Sequence, residues 1–183
     1  SQPREDLSAF TYSTFTSILA FVALGLAVFA LVVRFAVTPE QRAGLADPAR
    51  WLAWLVAASS MVGSLIYSEY FHYTPCVLCW YQRIAMYPLA VLLLVGAIRR
   101  DPKVRTYGLP LSIIGFGISV YHVLIQNIPN LEAGGACDPS NPCSAKYVDM
   151  FGIVSIPFMA GAGFLLITVL LASFSAASQP SET

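Results

Sequence analysis

The sequence predicts an all-α, polytopic membrane protein with five spans. Three observations predict it. Of 183 residues, 57% are hydrophobic and 11% charged, and the mean hydropathy is +0.68. A soluble domain carries about 25% charged residues, so this chain lacks the groups to cover a globular surface in water, and the bilayer is its natural solvent. Five apolar stretches each approach the roughly 20 residues that a spanning helix needs. Finally, most Lys and Arg residues fall in alternate loops.

The first stretch runs from about Phe15 to Val33, after a polar start, Ser1 to Leu7, that carries Arg4, Glu5 and Asp6 and does not resemble a cleavable signal peptide. The second runs from about Trp51 to Ser68. The third runs from about Ile84 to Ile98, with its outer end placed near Pro75 because counting from Arg83 leaves it short. The fourth runs from about Tyr107 to Ile128, and the fifth from about Phe151 to Phe174. Pro88, Pro110 and Pro157 fall inside these stretches, which membrane helices tolerate better than soluble ones.

Seven of the ten basic residues lie in two loops: Arg34, Arg42 and Arg50 in one, and Arg99, Arg100, Lys103 and Arg105 in the other. By parity these loops face the same side, and the excess of positive charge makes that side cytoplasmic. The loop from Glu69 to Gln82 has no Lys or Arg, and the loop from Asn127 to Met150 has only Lys146. Both are expected outside, together with the N-terminus, while the C-terminus is cytoplasmic. Tyr67, Tyr70, Phe71, Tyr73, Trp80 and Tyr81 gather at the first outer loop as an aromatic belt would. No long basic patch exists, which argues against nucleic acid as a partner.

All four cysteines, Cys76, Cys79, Cys137 and Cys143, fall in or beside the two outward loops, on the side of a bacterial membrane where disulfides persist. Cys76 and Cys79 follow Pro75 and open a helix, where unpaired N–H groups and the helix dipole favour a thiolate. Arg83 lies four residues after Cys79, on the same helical face and one turn deeper. An Arg at mid-membrane costs roughly 2.5–3.5 kcal/mol, less near the interface, so an ionisable group there marks a functional site by default.

Cys137 and Cys143 lie in a Gly- and Pro-rich segment expected to be exposed and turn-rich. As a structural staple, a disulfide across so short a loop gains only about 2.4 kcal/mol; as an exchange site it is well placed. His122 and Gln126, spaced i, i+4 at the outer end of the fourth span, share a face at about the depth of Arg83. An Arg, a His and a Gln at one depth are suited to hydrogen-bond the carbonyl oxygens of a quinone.

At these residues the chain resembles the DsbB family of disulfide-forming membrane oxidoreductases, especially its BdbC-like branch. The resemblance rests on Pro75-Cys76-Val77-Leu78-Cys79-Trp80-Tyr81-Gln82-Arg83, on His122 to Gln126 followed by Pro129, and on the second cysteine pair before the last span. It covers roughly Met61 to Leu171. It implies a four-helix bundle holding a quinone (ubiquinone or menaquinone) beside the first cysteine pair. It also implies an electron donor with a thioredoxin fold, of the DsbA or BdbD kind. Carried over, Cys79 faces the quinone, Arg83 contacts it, Cys137 forms the mixed disulfide with the donor, and Cys143 exchanges with Cys76. The implied organisation is an extra N-terminal transmembrane helix and cytoplasmic loop over residues 1–50, a quinone-binding DsbB-like four-helix bundle over 51–174, and a polar tail over 175–183, in a bacterial cytoplasmic membrane.

Three departures from the family pattern stand out. The first span is extra, the second cysteine pair is more closely spaced than in the best-known members, and Gln82 stands where some members carry an acid, implying that its side chain is not essential. Other readings of the same residues are structural disulfides, a four-cysteine zinc site, a haem subunit ligated by His72 and His122, and a non-catalytic subunit of a larger membrane complex. Covalent haem attachment is excluded, since Trp80 rather than His follows Cys79. In a VKOR-like protein, the pair spaced by two residues belongs to a later span.

Overall fold

A computed structural model describes residues 2–128, 137–138 and 140–174, with side chains from Leu7 onward. Pro129, Gly134, Gly135, Pro139 and the polar tail lie outside the described residues. The chain forms α1 (Gln2–Ala36), α2 (Pro39–Gly44), α3 (Ala46–Leu65) continued by a π-helical turn (Ile66–Tyr70), α4 (Val77–Ile98), α5 (Val104–Asn127) and α6 (Ile156–Ser173). Five of these are long and apolar enough to cross a membrane, as the five apolar stretches predict.

Local chemistry sets the boundaries. Thr38 caps α2 in a capping box with Gln41, and Pro39 occupies the first turn, where its missing N–H costs nothing. Thus the basic loop expected between the first two spans contains a short helix. Pro75 disfavours helical backbone at the residue before it and Cys76 takes the extended N-cap conformation, so α4 starts at Val77. The last span differs from expectation: it starts at Ile156, not near Phe151. Residues 150–154 form a tight turn closed by a bridge between Met150 and Val154. Within it Phe151 and Gly152 both have positive φ, 57° and 69°, which a right-handed helix does not admit. Phe151 and Ile153 are apolar but exposed, and their hydrophobicity extended the apparent span.

Helices α3, α4, α5 and α6 form a closed ring in which each packs on its neighbours, and α1 leans on the outside of α6. Close approach comes from small residues, as is usual between membrane helices. A Cβ at Gly115 of α5 would stand 2.2 Å from the fully buried ring of Phe164 in α6, and one at Gly161 of α6 would meet Ser119 of α5 at 3.2 Å. Ser13, Ser17, Ala20, Ala27 and Ala30 are buried small residues of α1. At one end of the bundle Asp47 pairs with Arg50 and lies 3.6 Å from Arg100, so the two basic connections meet there. The cysteines gather at the opposite end.

Candidate active site

Cys76 is the N-cap of α4, and its sulfur accepts the backbone N–H of Cys79 at 3.4 Å. The two side chains are unbonded, with their sulfurs 2.9 Å apart. His122, fully buried on α5, brings Nε2 to 3.6 Å from the Cys76 sulfur and 3.1 Å from the Cys143 carbonyl oxygen. The Cys79 thiol hydrogen-bonding to the Cys76 sulfur, aided by His122, outweighs burial and holds the Cys76 pKa well below the ordinary thiol value. Cys76 is therefore the thiol of the pair held as a thiolate at pH values where an ordinary cysteine is protonated. Stabilising the reduced form also makes the pair a stronger oxidant.

In protein with both loop cysteines changed to Ser and the α4 pair reduced, the ultraviolet thiolate absorbance is accordingly expected to persist at pH values where an ordinary thiol is protonated. A midpoint near the ordinary thiol value, about 8.5, would contradict this geometry.

Cys137 and Cys143 form a disulfide. The exposed loop pair expected from composition is only half realised: Cys137 is partly exposed, whereas Cys143 is buried, at 1% exposure. The reason is packing. Cys143 joins Cys76, Leu78 and Ile125 in a small buried cluster, with Cys79, Ile118 and Cys137 against it, so both cysteine pairs share one apolar nest. Polar ties dock the loop there: the Asn141 amide donates to the Pro75 carbonyl at 3.1 Å, Gln126 Nε2 to the Ala145 carbonyl at 3.4 Å, and Lys146 to Asn127 Oδ1 at 3.1 Å. Asp138 accepts the backbone N–H and hydroxyl of Ser140; these bonds lower its pKa.

On the other side of Cys79 lies a cavity of about 330 Å³ lined mainly by α1, α3, α4 and α6. This is within the range of small-molecule sites. Its cysteine end is polar, bounded by Cys79, Gln82, Arg83, Ser64, Tyr67 and Thr16; deeper, it is walled by Leu26, Leu52, Leu55, Val56 and Leu166. Arg83 donates from Nε to the Ser64 hydroxyl and from Nη2 to the Ser64 carbonyl, each at 2.9 Å, and lies 5.3 Å from the centre of the Trp80 ring. Among the described residues no carboxylate pairs with it, so its charge is available to an anion in the cavity.

The site residues expected from sequence thus fall into two groups. Cys79 and Arg83 line the cavity, but His122 and Gln126 are not among the residues lining it. His122 sits on the sulfurs and Gln126 ties down the loop. Sequence reasoning set the Gln82 side chain aside as not essential; it is buried, lines the cavity and donates to the Ser119 hydroxyl at 2.9 Å. That reasoning also passed over the inward role of the aromatics. Tyr67, Tyr73 and Tyr147 stack in succession at 5.9 and 5.0 Å and line the cavity, while Tyr70, Trp80 and Tyr81 are exposed as a belt would be. The Ser64 hydroxyl and the Tyr67 ring were the signals available, as polar groups at helical spacing near the end of an apolar run.

Cys76, Cys79 and His122 offer three ligand atoms within 4.8 Å of one another. However, two thiolates on one tetrahedral zinc stand about 3.8 Å apart, given Zn–S of about 2.3 Å. Sulfurs at 2.9 Å fit a pair poised to bond each other better than a metal clamp. The four-cysteine site is not formed, because the loop pair is disulfide-bonded. For haem, His122 is enclosed among the sulfurs, and His72 is exposed on the connection between α3 and α4.

The sequence profile described as Disulfide bond formation protein DsbB matches residues 47–174. The chain belongs to the DsbB family. Members of the family similar to it include the "Probable disulfide formation protein" of Oceanobacillus iheyensis, 51% identical over 120 residues that span 65% of this chain and 83% of that protein. The "Disulfide bond formation protein C" of Bacillus subtilis is 42% identical over 121 residues, 66% of this chain and 88% of that protein. No solved structure matches the chain significantly. This DsbB-family chain is a multi-pass membrane oxidoreductase of disulfide formation.

Proposed function

We propose that the protein reoxidises a dithiol protein of thioredoxin fold, of the DsbA or BdbD kind, outside the bacterial cytoplasmic membrane and delivers the electrons to a quinone in the cavity beside Cys79. One observation carries this reading: the two cysteine pairs share a buried nest, and Cys79 is the cysteine that also borders the cavity. The cavity suits a quinone, with polar groups at the cysteine end for a ring and an apolar depth for a tail. When bound there, the quinone accepts two electrons and two protons and leaves as quinol.

The chain's residues perform the rest. A donor thiolate attacks the sulfur of the partly exposed Cys137, making a mixed disulfide and releasing Cys143 as a thiolate against Cys76. The second donor thiol resolves the mixed disulfide, so the donor leaves oxidised and Cys137 and Cys143 are left as a dithiol. Cys143 then attacks Cys76 of an oxidised α4 pair, Cys79 leaves as a thiolate, and Cys137 closes the loop disulfide again, leaving Cys76 and Cys79 reduced. His122, touching both Cys76 and the Cys143 backbone, keeps the sulfurs in register and stabilises the Cys76 thiolate. Arg83 holds the acceptor's oxygen and the charge that develops on it. The two-electron oxidation of the α4 pair re-forms the Cys76–Cys79 disulfide.

A donor variant that keeps only its attacking cysteine traps the first step. Mass spectrometry of the cross-linked peptide is expected to find the donor sulfur on Cys137. A cross-link to Cys76 or Cys79 instead would overturn the order of the relay.

A further inference from the structure

Helix α1 lies outside the residues matched by the family profile, yet it supplies one side of the cavity. It is pinned at both ends. Near the cysteines, the Tyr12 hydroxyl donates to the Gly63 carbonyl at 3.4 Å, and Thr16 Oγ1 and the Tyr67 hydroxyl are 2.7 Å apart. The Tyr12 and Tyr67 rings meet edge to face at 5.0 Å. At the far end Arg34 donates to the Ala172 carbonyl of α6 at 3.4 Å. Between these ties α1 packs against α6 but only sparsely against α3. The gap so left is the cavity, fronted from α1 by Thr16, Leu19, Ala20, Val22, Ala23 and Leu26. From Thr16 to Leu26 a helix rises about 15 Å, from the level of the polar end to the apolar depth. Without α1 the groove on α3, α4 and α6 would face lipid along its length.

We propose that α1 is the specificity-determining wall of the electron-acceptor site, selecting an amphiphilic acceptor whose ring lies at Cys79 and Arg83 and whose apolar tail runs between α1 and α3. This rests on the quinone reading above and adds to it what the extra helix does. An acceptor held on both sides loses more surface to water and lipid than one lying in an open groove, and the ring sits in the one place where polar groups of α1, α3 and α4 converge.

The test compares Ala23→Phe, which fills the cavity from α1, with Val28→Phe, whose position is 62% exposed and not among the lining residues. With reduced donor in excess, Ala23→Phe is expected to raise the KM for a quinone with an isoprenoid tail by about tenfold or more, the scale of pocket-filling effects, and to change the KM for a tail-less quinone much less. Val28→Phe leaves both unchanged. Both variants are expected to reduce their loop disulfide with donor, in the absence of quinone, at the wild-type rate, which shows that the fold is intact. Independently, a photoreactive azido-quinone on the wild-type protein is expected to label residues 16–26. An unchanged KM in Ala23→Phe, or labelling confined to α3 and α4, overturns the role of α1 while leaving quinone reduction standing. A wild-type protein that reduces neither quinone overturns both readings.

Discussion

Changing Cys79 to Ser is expected to abolish donor-driven quinone reduction, a loss on the order of 10³-fold or more, as when a reacting nucleophile is removed. The same variant should still form the mixed disulfide between donor and Cys137, because the loop pair and its nest do not depend on the Cys79 sulfur reaching the cavity. The two measurements together divide the relay. If Cys79→Ser kept its quinone reduction, electrons would have to leave from Cys76, which is buried against Cys143 and is not among the residues lining the cavity.

The second large effect is at Arg83. Arg83→Met is expected to lower kcat/KM for the quinone by about 10²-fold, the scale of removing one preorganised donor from a developing negative charge. Reduction of the loop disulfide by donor should be unaffected. Arg83→Lys should recover only part of the loss. The guanidinium anchors itself on Ser64 with Nε and Nη2 while presenting charge to the cavity, and a lysine ammonium lacks that planar fork. If Arg83 were only an interfacial anchor, Met would cost stability and leave the KM for quinone unchanged. Steady-state kinetics over a quinone concentration series separates these outcomes.

The five spans were legible because length and hydropathy decide them, and the start of α4 was placed near Pro75 because a span counted from Arg83 was too short. The error at 151–155 has a plain cause: Phe151 and Ile153 are apolar, but positive φ at Phe151 and Gly152 keeps the chain in a turn. In the site, depth along the membrane was readable and rotation about each helix axis was not. Loop parity put Arg83, His122 and Gln126 at one level. Nothing in the sequence said that the face of α5 carrying His122 turns toward the sulfurs while Arg83 of α4 turns toward α3. The same ignorance of azimuth hid Gln82 and the α1 wall, since both depend on which helix stands opposite. Burial of Cys143 was hidden for a related reason: a Gly- and Pro-rich segment reads as exposed until a partner surface, here Ile125 and Leu78, is known.

The central claim is that one donor dithiol becomes one quinol through Cys137–Cys143 and Cys76–Cys79. Its most direct test is a stoichiometric assay on the purified protein in detergent: reduced thioredoxin-like donor is added with a soluble quinone, and the loss of quinone absorbance is compared with the loss of donor thiols. Equal amounts of quinone consumed and donor dithiol oxidised are expected, with turnover abolished in Cys137→Ser and in Cys79→Ser. Donor oxidation that proceeds at full rate over many turnovers without quinone, or quinone loss that persists in either variant, would contradict it.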